Sequence, residues 1–459
     1  MIFNVFIAIL ILSVVIIVHE FGHFIIAKAN GVCVVEFSVG FGPRIFSFRI
    51  GDTDYCLKAL PFGGSCRMLG QDEYLTDTAK DEEEDEAGEE YELSPFEKRN
   101  KEMFEKYGES RTLEKKSVSA RIAVLAAGPV FNFLFAVIAS IVLIGASGYD
   151  PCVINEVETG SPGYEAGLRA GDEIVGLNGN AVHFAREYGF YRNYHESDTM
   201  DITYKRDGVN YKTTVVPEEI KDNSYKIGIK FDQDLRISEI VKDSPAGKSG
   251  LREQDKIVAI NGEQIDSMEK LSEAIDASEG KTLNVRVSRA AGEREFQVTP
   301  EMMETSYYYT GLTLYGRRIM ASPIETIGLA FCDTGYRISS VVEVLGMMLT
   351  GRMGVNNLSG PVGTVSAISS VVEESKQDGG FYVFLNILNI AIMLSANLGV
   401  VNLLPVPALD GGKLIVYIIE AIRGRPAPRK VETVINFIGV IFLLVLMAFV
   451  LVKDIVYLF

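Results

Sequence analysis

His19, Glu20 and His23 stand in the spacing His-Glu-x-x-His. In a helix, residues four apart share a face, so the two imidazoles can meet one metal ion with Glu20 beside them. That set supports metal-assisted hydrolysis: two neutral imidazoles hold Zn²⁺, one coordination position stays open, and water there has its pKa lowered to around 7. Glu20 would take the water's proton and pass it to a leaving amine. The competing account is a polar helix end whose His and Glu simply meet water. Against it, the motif closes a long apolar run, where ionisable groups are rare without a reason, and the chain has only four histidines.

Such a site needs a third protein ligand. The stretch from Phe24 to Ile50 offers only Glu36, and His183 and His195 lie far along the chain in a different kind of segment. The best remaining donor is Asp410, in the run Asn402-Leu403-Leu404-Pro405-Val406-Pro407-Ala408-Leu409-Asp410-Gly411-Gly412. Two prolines and a glycine pair break a regular helix there, which a membrane tolerates only beside protein or a water cavity. The alternative is an ordinary turn in which Asp410 caps the next helix, Lys413 to Ile422.

The elements that must position these residues are apolar. Hydrophobic residues make up 47% of the 459, and four stretches reach the roughly 20 residues that cross a bilayer: Ile2 to Ala27, Ile122 to Ala146, Phe381 to Leu404 and Val434 to Val452. The third carries Asn386, Asn389, Asn397 and Asn402, polar groups that at such depth point to a functional site. Arginines and lysines crowd the loop from Lys28 to Arg121 and the short connection around Arg423 to Lys430, so both face the cytoplasm. The long segment from about Ser147 to Gly380 is then extracytoplasmic. A net charge of −17 owes much to the run from Asp81 to Glu90, read as a solvated insert, and the absence of a basic face excludes nucleic-acid binding. Five scattered cysteines suggest no disulfide framework. Phe96 to Tyr107 has the composition of an amphipathic helix, lying on the inner membrane face or simply in solvent.

The outer segment repeats itself at an offset of 83 residues, from Ser161 to Ser244. SPGYEAGLRAGDEIVGLNG answers SPAGKSGLREQDKIVAING, and YKIGIKF answers YYTGLTL. Two copies of one domain are expected, at 150–232 and 235–316. Each resembles a PDZ domain in the permuted bacterial arrangement, which implies either a groove for peptide C-termini or a bulky shield that binds nothing specific.

Taken together, the chain resembles the site-2 proteases, bacterial regulator-of-sigma intramembrane zinc metalloproteases with tandem PDZ domains. The likeness rests on HEFGH, FSVGFGP (37–43), LPFGG (60–64), AGPVFNF (127–133), the repeat pair and NLLPVPALDGG. It implies Zn²⁺ held by His19, His23 and Asp410, Glu20 as general acid and base, and Asn397, Asn402 and Pro405 on the substrate side. It also implies a membrane-associated β element at about 51–69, whose edge would catch an unwound helix. The expected fold is a polytopic α-helical membrane protein of about four spans with two extracytoplasmic α+β domains. Its expected segments are a first span at 1–27, a cytoplasmic loop at 28–119 with an acidic insert at 71–117, and a second span at 120–147. After the repeats come a linker with amphipathic segments at 317–380, a third span with its following helix at 381–422, and a fourth span at 434–452. The implied location is the bacterial inner membrane, with the site near the cytoplasmic side. The implied partners are the bilayer and transmembrane-helix substrates, anti-sigma factors and remnant signal peptides among them. The alternative is a non-catalytic scaffold that displays two PDZ domains around a degenerate metal site.

Overall fold

A computed structural model describes residues 2–70, 94–231, 235–241, 243–289, 292–314, 317–354, 360–425 and 429–458. The acidic run from Asp81 to Glu90 lies outside the described residues. The chain forms two compact units, one of 1–149 with 318–459 and one of 150–317.

The first unit opens with helix α1 (Ile2–Ala29), whose largely apolar composition suits a helix surrounded by lipid and protein rather than water. Strands β1 (Val34–Ile50) and β2 (Thr53–Met68) follow. They fold back on themselves, so that Val39 meets Leu57 in one ladder and Gly64 in another, while Ile50 pairs with Thr53 at the tip. Gly40 makes the fold-back possible: its φ is 85°, and a Cβ there would stand 2.4 Å from the Leu60 carbonyl oxygen. The β element therefore begins at Val34, well before the expected 51–69. Helix α2 (Pro95–Tyr107) starts at a capping box between Ser94 and Glu97. One side of it packs against the β element. Phe96 and Met103 are buried with Cys33, Val35 and Leu69, and Lys106, Tyr107 and Arg111 all bond Asp52 at the hairpin tip. Helix α3 (Val118–Ser147) carries Pro129 inside it.

The second unit holds the repeats. The first comprises β3 (Glu156–Val157), α4 (Pro162–Glu165), β4 (Glu173–Leu177), β5 (Asn180–Ala181), α5 (Ala185–Tyr194), β6 (Met200–Arg206) and β7 (Val209–Val215). Strand β8 (Glu218–Lys226) leads to the second: β9 (Ile229–Phe231), β10 (Ile237–Ile240), α6 (Pro245–Ser249), β11 (Lys256–Ile260), β12 (Glu263–Gln264), α7 (Met268–Asp276), β13 (Leu283–Arg289) and β14 (Gly292–Val298). Strands β15 (Glu301–Tyr309) and β16 (Leu312–Thr313) close the unit. The aspartate of the repeated motif has the same task in each copy. Asp172 binds Arg206, which also donates to the Gly167 carbonyl, and Asp255 binds Arg289, which donates to the Gly250 carbonyl.

The copies are nested, which corrects the boundary expected at 232–235. Strand β9 pairs with β10 of the second copy, and β16 returns to pair with β3 of the first. Gly228 fits against Ser244 of the second copy, where a Cβ would come within 2.2 Å, and Gly311 fits against Ser161 of the first at 2.1 Å. Strands β8 and β15 form a nine-pair ladder, Glu218 opposite Tyr309 through Lys226 opposite Glu301, from which the second copy is inserted into the first.

The chain re-enters the first unit through α8 (Pro323–Leu349) and α9 (Pro361–Ser375). The expected linker at 317–380 is thus built into this unit. Asp333 on α8 is buried and accepts from Ser140 of α3 at 2.5 Å, and Asn4 of α1 donates to Glu373 of α9 at 2.7 Å. Helices α10 (Gly380–Asn402), α11 (Asp410–Arg423) and α12 (Arg429–Leu458) complete the unit. Among the described residues, four helical segments are long and apolar enough to cross a membrane: Phe3–Ala29, Val118–Ser147, Gly380–Asn402 and Val434–Asp454.

Candidate metal centre

Helix α1 places His19 and His23 one turn apart, both buried, with ring centroids 4.8 Å apart and planes at 85°. Their Nε2 atoms lie 3.2 Å from each other. Asp410 Oδ2 lies 3.0 Å from His19 Nε2 and 3.2 Å from His23 Nε2, across nearly four hundred residues of chain. Asp410 is the first residue of α11, and its side chain turns to the histidines rather than capping the helix. Delivering it takes a sharp break after Asn402. Ala408 adopts a φ of 75°, a left-handed conformation that costs an alanine roughly 1–2 kcal/mol. Gly411 and Gly412 have no room for a Cβ, which would meet the Leu404 and Val406 carbonyl oxygens at 2.3 and 2.5 Å.

The three atoms fit a cation. His23 Nδ1 stands 2.8 Å from the Val124 carbonyl, which can only accept, so Nδ1 carries the proton and, in the neutral ring, Nε2 is bare. With His23 in that form, its Nε2 at 3.2 Å from Asp410 Oδ2 is a contact between two acceptors, which a cation between them would resolve. Ligands held at about 2.0–2.1 Å in a tetrahedron stand about 3.3–3.4 Å apart, close to the separations found here. Glu36, the other acid near the motif, is buried and spent on Arg44 and Lys58.

Glu20 accepts a hydrogen bond from the Cys66 amide at 2.8 Å, which ties its carboxylate to an outer run of the β element. Among the four asparagines of the third span, Asn389 accepts from Arg337 and Asn386 donates to Ser375, each at 2.7 Å. Those two are structural. Asn397 and Asn402 make no side-chain hydrogen bond among the described residues and remain available. Pro405 is exposed and lines an apolar cleft of about 230 Å³ with Pro407, Gly412, Ile415 and Ile435. His183 and His195 belong to the repeat unit, where His195 Nδ1 contacts Asp198 at 2.9 Å.

Sequence reasoning missed the part played by α3. Besides the Val124 carbonyl, this helix brings Gly128 against both imidazoles, where a Cβ would meet His23 Nε2 at 2.5 Å and His19 Cε1 at 2.6 Å. The run AGPVFNF contains Gly128 and was visible, but nothing in its composition says which face meets the histidines.

The family described as Peptidase family M50 matches residues 7–446. Zinc metalloprotease RasP of Geobacillus kaustophilus is 29% identical over 95% of this chain and 94% of its own length. Regulator of sigma-W protease RasP of Bacillus subtilis is 27% identical over 98% of each chain, and regulator of sigma-E protease RseP of Salmonella typhimurium is 28% identical over 97% of each. The HtrA3 PDZ domain bound to a phage-derived ligand is similar to 18% of this chain and covered over 92% of its own, at 23% identity and a TM-score of 0.17, a likeness too slight to carry weight.

Proposed function

The chain belongs to peptidase family M50, and from that premise we propose that it is an intramembrane zinc metalloprotease cutting peptide bonds within transmembrane segments of single-span proteins. The work it does is regulated intramembrane proteolysis, with anti-sigma factors and remnant signal peptides as its substrates. One observation supports the reading: the ligand atoms of His19, His23 and Asp410 converge within 4.8 Å of one another, with Glu20 next to His19 in the chain.

His19, His23 and Asp410 hold the metal. Bound there, zinc supplies the Lewis acidity that makes water a nucleophile near neutral pH. Glu20 takes the proton from the attacking water and delivers it to the leaving amine nitrogen, work that typically contributes 10²–10⁴-fold in rate. The substrate's backbone must be extended before its amides are reachable, because a transmembrane helix satisfies them internally. The run Gly64–Met68 offers an edge for an added strand, and Asn397, Asn402 and Pro405 engage the substrate. The charge pattern of the loops supports an inner-membrane topology in which this site is near the cytoplasm and the repeats, read as PDZ domains, lie outside.

The test is cleavage of a single-span substrate by purified protein in lipid vesicles. The wild type cuts, 1,10-phenanthroline stops it, and added zinc restores it. Glu20→Gln is expected to lose at least about 10²-fold while keeping its zinc. Cutting by Glu20→Gln at the wild-type rate overturns the mechanism, and full zinc retention by Asp410→Ala overturns the ligand set. A scaffold with a degenerate site predicts no cleavage by any form.

A further inference from the structure

Asn132 on α3 is completely buried, and its carboxamide lies against the side of His19 that faces away from Asp410. As placed, the amide nitrogen stands 3.3 Å from His19 Nδ1, and the amide oxygen is buried with no hydrogen-bond partner among the described residues. The two ends of a carboxamide are distinguished only by their hydrogen bonds. With the nitrogen toward Nδ1, His19 would have to carry its proton on Nε2, the atom that converges on Asp410. A metal ligand needs the reverse, a bare Nε2 and a proton on Nδ1. Exchanging the amide ends provides that state, with the oxygen accepting from Nδ1–H and the nitrogen taking the place the oxygen held.

The geometry points to Asn132 as a positioning residue whose amide oxygen accepts from His19 Nδ1–H and holds His19 in its metal-binding tautomer. The inference rests on the reading of His19 as a zinc ligand. Asn132 does for His19 what the Val124 carbonyl does for His23, where the 2.8 Å contact to Nδ1 is a protein acceptor in the same relation to the ring. Val124 and Asn132 are eight residues apart, a little over two turns, so one face of α3 carries both acceptors with Gly128 midway between them. The backbone at Asn132 is itself tied to the third span, since Ser395 Oγ, fully buried, donates to the Asn132 carbonyl at 2.9 Å. The side chain is thus fixed on a helix anchored from the opposite side. Partners of this kind set the orientation and basicity of a ligand imidazole, and losing one typically costs 10–100-fold in metal affinity.

The test compares the full-length wild type with Asn132→Leu, which keeps the volume and removes the acceptor, and Asn132→Asp, which restores an acceptor. Zinc affinity is measured by competition with a chelator of known strength. Asn132→Leu is expected to bind zinc 10–100-fold more weakly and Asn132→Asp to remain within threefold of wild type. Independently, ¹⁵N-histidine spectra of the metal-free protein report the ring tautomer. Wild-type His19 is expected on the Nδ1–H side and Asn132→Leu to shift toward a mixture. Unchanged zinc affinity in Asn132→Leu, or equal losses in both variants, overturns the inference. So does a wild-type His19 whose proton sits on Nε2. None of these readouts requires proteolysis, so the proposed function can fail while this inference holds, and the reverse.

Discussion

At the scale of single residues, the candidate centre is defined as much by what is missing as by the side chains that converge on it. Gly128 is where α3 touches both imidazoles, and no rearrangement short of moving a ligand would admit a methyl group. Gly128→Ala is therefore expected to bind zinc at least about tenfold more weakly. Gly145→Ala on the same helix, where a Cβ would find only Thr326 Cγ2 at 3.9 Å, is the matched control and should keep wild-type affinity. Zinc content after dialysis against a buffered metal solution distinguishes the two, and equal retention would remove the steric argument. The contrast also states what a residue pattern can reveal. The pair His19 and His23 was legible because a helix fixes their spacing. Gly128, like Asn132, was not, because its role depends on which side of another helix faces them.

At the scale of elements, Asp410 is only as well placed as α11. Ten residues along that helix, about 15 Å, Glu420 accepts two hydrogen bonds from Arg121 at the start of α3, at 2.9 and 2.6 Å. Both side chains are only 10% exposed, and the guanidinium also lies over the Tyr417 ring at 4.6 Å. A bidentate pair with a stacked ring fixes orientation as well as contact. Arg121→Leu would leave Glu420 buried without its partner, a change that costs about 3–5 kcal/mol. It is expected to lower the thermal stability of the detergent-solubilised protein and to release zinc, with the exchanged pair Arg121→Glu plus Glu420→Arg recovering part of both. A wild-type melting temperature and zinc content in Arg121→Leu would show that α11 is held by other means. The spans themselves were readable from composition, since a run of apolar residues has few alternatives to a helix in lipid. The helices at 323–349 and 361–375 were not, because charged residues such as Asp333 and Glu373 break the apolar pattern and find partners only through tertiary contacts.

At the scale of the whole molecule, the nested repeats make a prediction that tandem repeats do not. Lys226 and Glu301 are direct partners in the β8–β15 ladder, so the chain leaves and re-enters the first copy at one place. Replacing 227–300 by a short turn is expected to leave the first copy folded, read as protease resistance of 150–226 in the full chain. Deleting 235–316 should unfold it, because that removes β16 and Gly311 from their places against β3 and Ser161. If the second deletion is the more resistant, the nesting is wrong. The sequence by itself determined the repeat, the apolar spans and the chemistry of the His-Glu-x-x-His motif, since each depends on spacing within one segment. It pointed to Asp410 only through a break in a helix and a family likeness. Tertiary structure decided that Asp410 turns to the histidines instead of capping α11, that α3 supplies the groups behind the ligands, and that each repeat is closed by the strand an equal spacing assigned to the other. An offset of 83 residues is the same whichever copy a strand joins, and a ligand's neighbours are set by packing between helices, on which periodicity along one chain has no bearing.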